Sequence, residues 1–458
     1  MQHFDAIIIG SGQAGTPLVG KLSEQNYKIA FIEKNKLGGT CVNVGCTPTK
    51  IYVASARRMW ESQHGDELGI EIPPGSKANL QKIKARKDKH IQSTVNSMDE
   101  WIANDPNVTF FSGIARFKSN KVVEVNGESL SAPEIYINVG GKPYVPEGFK
   151  DVPFLTNESI LELEDLPEHL IVVGGSYIGL EFGQMFKRFG SKVSIIEKSR
   201  AIVNREDPET SERIQEFLEK EDIYIRKNAD CLSGFKNDDD TVSVKADCAE
   251  DGIIEFKGSH VLLAVGRQPN TDKLGLENTD IKMNSRGFIE VNDYLETNVE
   301  GIYALGDCNG KGAFTHTSYN DYEIIAENKF EAKDRKVSDR HMIYGLFIDP
   351  PLGRVGMTKT QAEASAKNIL YAHRPMSRIS RAKEKGETYG CMSAVIDADT
   401  NKFLGATVLG TGGDEIISTF STAMYANADY QILRDSVQAH PTVSELIPTL
   451  LETLERLK

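Results

Sequence analysis

Ala6-Ile7-Ile8-Ile9-Gly10-Ser11-Gly12-Gln13-Ala14-Gly15 is a short apolar run that ends in G-x-G-x-x-G. A helical pattern follows through about Leu22, then a second strand pattern, Lys28-Ile29-Ala30-Phe31-Ile32, which closes on Glu33. Strand, tight turn, helix and a second strand ending in a carboxylate is the order of a Rossmann-like dinucleotide-binding unit. Gly10 permits the turn, Gly12 lets backbone approach a pyrophosphate, and Gly15 completes the pattern. The helix N-terminus then faces the phosphates, and Glu33 is placed to accept a hydrogen bond from a ribose.

The same order recurs later in the chain. Leu170-Ile171-Val172-Val173-Gly174-Gly175-Ser176-Tyr177-Ile178-Gly179 leads into Leu180-Glu181-Phe182-Gly183, then Lys192-Val193-Ser194-Ile195-Ile196-Glu197. From Gly10 to Glu33 is 23 residues, and from Gly174 to Glu197 the same. Equal spacing in equal context predicts an α/β fold with two such units and two bound dinucleotides. Ser176 replaces the second glycine, so its hydroxyl is expected to shift the pyrophosphate slightly.

Just beyond the first unit's acidic residue the chain reads Gly38-Gly39-Thr40-Cys41-Val42-Asn43-Val44-Gly45-Cys46-Thr47-Pro48-Thr49-Lys50. Two cysteines this close can form a small strained ring, the labile and catalytic kind of disulfide rather than the kind that ties distant segments together. A dinucleotide bound a few residues earlier supplies the electron carrier that reduces it. The alternatives are a pair of buried reduced thiols or a metal pair. C-x4-C is poor zinc spacing, and no other Cys or His pair completes a site, so no metal centre is expected.

The bulk properties narrow the class. A length of 458 residues suggests about three domains. The formal charge of −13 argues against nucleic acid and against an anionic membrane surface as partners. No apolar run approaches the ~20 residues that span a bilayer. Met1-Gln2-His3-Phe4-Asp5 lacks a basic n-region, so no signal peptide is expected. Six cysteines are too few for a secreted disulfide scaffold, and a reducing cytoplasmic location is the expectation.

Further motifs make a resemblance specific. Thr297-Asn298-Val299-Glu300-Gly301-Ile302-Tyr303-Ala304-Leu305-Gly306-Asp307, Leu263-Ala264-Val265-Gly266-Arg267-Gln268-Pro269-Asn270, Phe347-Ile348-Asp349-Pro350 and His440-Pro441-Thr442-Val443-Ser444-Glu445 complete the set. With the two fingerprints and the cysteine pair, the chain resembles the class I flavoprotein pyridine nucleotide-disulfide oxidoreductases. These include glutathione reductase, dihydrolipoyl dehydrogenase and mercuric reductase. The resemblance implies two Rossmann-like domains, for FAD and NAD(P), and a C-terminal α+β dimerisation domain. The implied boundaries are 1–145 and 268–335 for FAD, 146–267 for NAD(P), and 336–458 for the interface. One position fits loosely: Asn138-Val139-Gly140-Gly141 stands where the family usually has an Ala-Thr-Gly turn, so a hydroxyl is missing.

Roles follow by the same resemblance. Cys46 faces flavin as a thiolate and Cys41 performs interchange with substrate, while Lys50 and Glu181 form the pair beside flavin N5. His440, oriented by Glu445, reaches the partner subunit's cysteines in a homodimer and serves as the proton donor. FAD is implied at Gly10, Gly12, Gly15, Glu33, Lys34, Gly39, Thr40, Gly140, Asp307 and Thr315. The nicotinamide dinucleotide is implied at Gly174, Ser176, Tyr177, Ile178, Gly179, Glu197, Gly266 and Arg267. Tyr177 is either an aromatic gate displaced by nicotinamide or a ring packed on its helix start. Glu197 favours NADH over NADPH, because a carboxylate accepts from a 2′-hydroxyl and repels a 2′-phosphate. Lys198 and Arg200 could offset that repulsion.

The acceptor is less constrained. The cysteine motif is similar to that of mercuric reductases, yet the vicinal cysteine pair those enzymes carry near the C-terminus is absent from this sequence. Gln431-Ile432-Leu433-Arg434-Asp435 with the later His440 motif is similar to bacterial oxidative-stress reductases acting on metal ions or halogen oxidants. A disulfide, metal-ion or oxidant acceptor is therefore expected. Lipoamide, as in dihydrolipoyl dehydrogenase, is one alternative, and a non-catalytic flavoprotein acting through partners is another.

Overall fold

A computed structural model describes residues 1–248, 252–365 and 367–457, the side chain of Cys231 excepted. The run that opens the chain forms the strand Ala6–Ile9, central in a five-stranded parallel sheet. Its neighbours are Ile29–Glu33 and Glu134–Ile137, with Val108–Ser112 and Ile302–Ala304 at the edges. The strand is buried on both faces, which is why it reads as a continuous apolar run rather than an alternating one. Ala6 and Ile8 pack with Leu18, Val19 and Leu22 of the helix Gly15–Glu24, while Ile7 and Ile9 face Phe117 and Val123 on the other side. The pairing of Ile302–Ala304 with Glu134–Ile137 returns the late chain to the first sheet.

The second fingerprint repeats the geometry. His169–Val173 lies between Lys192–Ile196 and His260–Leu263 in a four-stranded parallel sheet, with Tyr224–Arg226 at its edge. Leu170 and Val172 face one core, and Ile171 and Val173 the other. Gly10 and Gly174 turn at φ +102° and +112°, a region that side chains with a Cβ rarely adopt. At both places an added Cβ would also strike a backbone carbonyl, Asn138 O or Ala264 O. The two turns are equivalent, as their spacing predicted.

The C-terminal part forms a six-stranded antiparallel sheet in the order Ile343–Leu346, Leu352–Gly356, Phe403–Leu409, Cys391–Asp397, Ile369–Pro375, Glu455–Arg456. The helix Gly413–Tyr425 packs on it through Ile416, Ile417 and Phe420. One charged network joins the loop between this sheet's first two strands to both Rossmann-like units. Arg188 grips Glu221 through two bonds, Nε–Oε2 at 2.9 Å and Nη2–Oε1 at 2.7 Å, and also pairs with Asp349. Asp349 in turn binds Arg57, which pairs with Glu387. No described helix is long and apolar enough to cross a membrane.

Candidate active site

The two units face a continuous cleft of about 2600 Å³. A site for one drug-sized ligand is typically ~300–1,000 Å³, so the volume suits two extended dinucleotides. Every cofactor residue singled out above lines this cleft except Gly15 and Gly179. Those two glycines serve packing instead, because a Cβ on either would collide with the carbonyl of Gly10 or Gly174 at the turn below. Glu33 and Glu197 occupy matching positions. Glu33 accepts from Ser11 N at 2.9 Å and Asn35 N at 2.8 Å, and Glu197 from Gly175 N at 2.6 Å and Ser199 N at 2.7 Å. Each carboxylate is thus fixed at the rim of its Gly-rich loop, with lone pairs left for a ribose. Lys198, which could offset Glu197, is paired with Asp230 at 3.1 Å. Ser176 precedes the helix Tyr177–Phe189 without capping it through its side chain.

The loosely fitting Asn138 proves to be a structural hub. Its Oδ1 accepts from Gly15 N at 2.9 Å and its Nδ2 donates to Leu305 O at 2.9 Å. Its own backbone N–H bonds Ile9 O at 2.8 Å. The carboxamide therefore joins the first Gly-rich turn to the strand end that leads into Asp307. Asp307 is largely buried, which pushes its carboxyl up, while Arg267 at 3.6 Å acts in the opposite direction. Arg267 was expected among the nicotinamide residues. Because Arg267–Pro269 pairs antiparallel with Gly141–Pro143, its guanidinium meets Asp307 and Gly141 O at the wall of the cleft.

Cys41 lies in the short helix Gly39–Asn43 and Cys46 begins the helix Cys46–Glu61. Gly45 closes the turn between them: a Cβ there would lie 2.8 Å from Thr40 O and 3.2 Å from Cys41 Cα. Both cysteines are free thiols. Cys46 Sγ is 3.2 Å from Thr315 Oγ1, at the start of the helix Thr315–Phe330. The two sulfurs are unequal. A hydrogen bond from Cys41, with help from Thr315 and the charge of Lys50, brings the Cys46 thiol down to about 6 against burial and Glu181. The same hydrogen bond, with burial, pushes Cys41 up. These directions favour Cys46 as the thiolate and Cys41 as the thiol that donates to it.

Lys50 Nζ lies 2.6 Å from Glu181 Oε2, as the paired reading expected. Glu181 is buried in the helix Tyr177–Phe189, where an unpaired carboxylate would be costly. Its second oxygen accepts from Phe347 N at 2.9 Å, and the Phe347 ring lies 4.3 Å from Lys50 Nζ. Sequence reading missed this part of Phe347, since nothing local marks a ring that braces a lysine 297 positions earlier. His440 Nδ1 and Glu445 Oε2 are 2.8 Å apart. The imidazole is 78% exposed, and neither residue lines the cleft of its own chain. His316 Nε2 meets Ile343 O at 2.6 Å at the cleft wall, and Cys308 is fully buried.

A dinucleotide cleft opening onto a thiol–thiolate pair defines a flavoprotein disulfide oxidoreductase. The chain belongs to that family: residues 4–321 match the pyridine nucleotide-disulphide oxidoreductase model and residues 343–451 its dimerisation domain. Its members use FAD and NAD(P)H. It is 33% identical to the probable pyridine nucleotide-disulfide oxidoreductase RclA of Escherichia coli, over 99% of this chain and 100% of that one. Identity to the dihydrolipoyl dehydrogenase of Thermus scotoductus is 31%, covering 100% and 98%. With a Staphylococcus aureus mercuric reductase it is 30%, covering 96% of this chain and 81% of the relative. The solved structure of the HOCl-induced flavoprotein disulfide reductase RclA superposes with a TM-score of 0.87 at 32% identity, over 98% and 99% of the two chains. RclA has also been solved as a Cu(II) complex, with a TM-score of 0.88 at 31% identity, over 99% of each chain.

Proposed function

We propose that this enzyme is a cytoplasmic, NADH-preferring reductase of a disulfide, metal-ion or oxidant acceptor, working through Cys41 and Cys46 as a homodimer. The observation that carries this reading is the placement of Cys41 and Cys46 on either side of one tight turn at the cleft, with Cys46 Sγ 3.2 Å from Thr315 Oγ1 and Lys50 held by Glu181 one helical turn on. When bound, FAD and a reduced nicotinamide supply the two electrons that open the Cys41–Cys46 disulfide. Lys50, fixed by Glu181, holds positive charge beside the Cys46 sulfur. Cys41 then loses its proton to His440 of the partner subunit and attacks the substrate disulfide. The leaving thiolate takes that proton from the imidazolium, which Glu445 orients. Attack by the Cys46 thiolate on the Cys41 sulfur of the mixed disulfide expels the second thiolate, which takes its proton from water, and re-forms the Cys41–Cys46 disulfide. Glu197, anchored by two backbone donors, supports the preference for NADH.

Family membership sets aside the non-catalytic alternative. Between the remaining acceptors, similarity to a reductase described as HOCl-induced and solved with Cu(II) supports the oxidant or metal branch. Similarity to dihydrolipoyl dehydrogenase keeps lipoamide as the second reading. A steady-state panel decides it: oxidised lipoamide, glutathione disulfide, Hg(II), Cu(II) and hypothiocyanite, each with NADH and NADPH. The expected result is a higher kcat/KM for Cu(II) or hypothiocyanite than for lipoamide, with NADH as the better donor. Lipoamide turnover far above all the others would establish the second reading.

A further inference from the structure

We propose that Tyr344, Glu206 and Arg354 form a buried latch that holds the Tyr177 ring in the nicotinamide side of the cleft and thereby sets how readily a dinucleotide enters. The inference rests on reading Tyr177 as the ring a nicotinamide displaces. Tyr177 opens its helix and lines the cleft. Its ring stands edge-on to Tyr344, with centroids 5.3 Å apart, and to Phe314 at 6.1 Å. Phe314 is stacked flat on Tyr344 at 5.5 Å, so the two rings make one wall. Both readings of Tyr177 are thus compatible with its position, packed against the wall and facing the cleft.

What fixes that wall is ionic. The Tyr344 hydroxyl donates to Glu206 and accepts from Arg354 Nη1 at 2.9 Å. Arg354 Nη1 also donates to Arg205 O at 2.7 Å and lies 3.5 Å from Glu206 Oε1. Glu206 and Arg205 belong to the loop after the second unit's strand, whereas Tyr344 and Arg354 belong to the C-terminal sheet. The cluster therefore clamps the ring wall from two sides. Arg354 is 2% exposed, Tyr344 3% and Glu206 8%. Replacing such buried charges with apolar residues commonly costs nothing in stability, so stability alone is a poor reason for them. The cluster is also incompletely satisfied: Glu206 Oε2, Arg354 Nε and Tyr177 Oη are buried without a hydrogen-bond partner. Burial pushes the Glu206 carboxyl and the Tyr177 hydroxyl up, consistent with groups held in place at some expense. A dinucleotide that needs Tyr177 displaced binds with an apparent affinity reduced by the fraction of molecules already open.

The test is calorimetric titration of FAD-loaded enzyme with NAD⁺, alongside KM for NADH, in four proteins: wild type, Tyr344→Phe, Tyr177→Ala and the double variant. Removing one hydroxyl from the latch is expected to tighten NAD⁺ binding roughly threefold to tenfold and to lower KM more than it changes kcat. Tyr177→Ala is expected to tighten binding at least as much, and Tyr344→Phe to add nothing in its background. Glu206→Gln gives the same reading should Tyr344→Phe fail to retain flavin. If Tyr177→Ala leaves NAD⁺ affinity unchanged, the displaced-ring reading fails and the latch with it. If Tyr177→Ala shifts affinity but Tyr344→Phe and Glu206→Gln do not tighten it, or tighten it equally without Tyr177, the latch alone is overturned.

Discussion

Two sulfurs in one short segment differ in charge because each helps to determine the other. The S–H of Cys41 is the largest influence lowering Cys46, so deleting it should raise Cys46. In reduced wild-type protein, thiolate absorbance at 240 nm is expected to titrate near pH 6, with thiolate present above that value and lost below it. In Cys41→Ala the midpoint should move upward toward an ordinary thiol. A midpoint unmoved by the substitution would show that Thr315 and Lys50 suffice on their own. Residue type and spacing made the cysteine pair legible in the sequence, whereas Lys50 and Glu181 were legible only through the family resemblance. The sequence could not show that Thr315 touches Cys46, since the two stand 269 residues apart and only folding brings them to 3.2 Å.

Elements were more legible than the contacts that join them. The equal intervals from glycine to carboxylate placed both Rossmann-like turns, because period and turn chemistry are local properties. Asn138 shows where local reading stops. It looked like drift in a turn, yet its carboxamide bonds groups 123 and 167 residues away. Asn138→Ala strands the buried Gly15 N–H, worth about 1–3 kcal/mol when left unpaired, and leaves Leu305 O with only the weak Cys308 S–H donor. The expected outcome is a lower melting temperature together with faster flavin release on dialysis. Unchanged values for both would mean that water or a shifted neighbour replaces the carboxamide.

At the scale of the molecule, an exposed His440 beside Glu445 fits a site that two chains share. Cys41→Ser and His440→Ala homodimers should each lose disulfide turnover, the second by about 10²-fold. Unfolding and refolding the two together should restore about a quarter of wild-type activity, because half the dimers would be hybrids with one complete site of two. Mixtures no more active than their parents would place the proton donor elsewhere. The acceptor stayed illegible for a related reason: on the proposed reading two copies build the surface that meets substrate, and no linear motif encodes a surface. The Arg57–Asp349–Arg188–Glu221 chain has a consequence of its own. It rivets all three parts of the protein to one frame, so admission of a coenzyme by swinging one lobe away from another would mean breaking the Arg57–Asp349 or Arg188–Asp349 pair. Traffic through such a chassis has to be managed by individual side chains turning in place, and the speed of catalysis should then respond to aromatic substitutions more than to solvent viscosity.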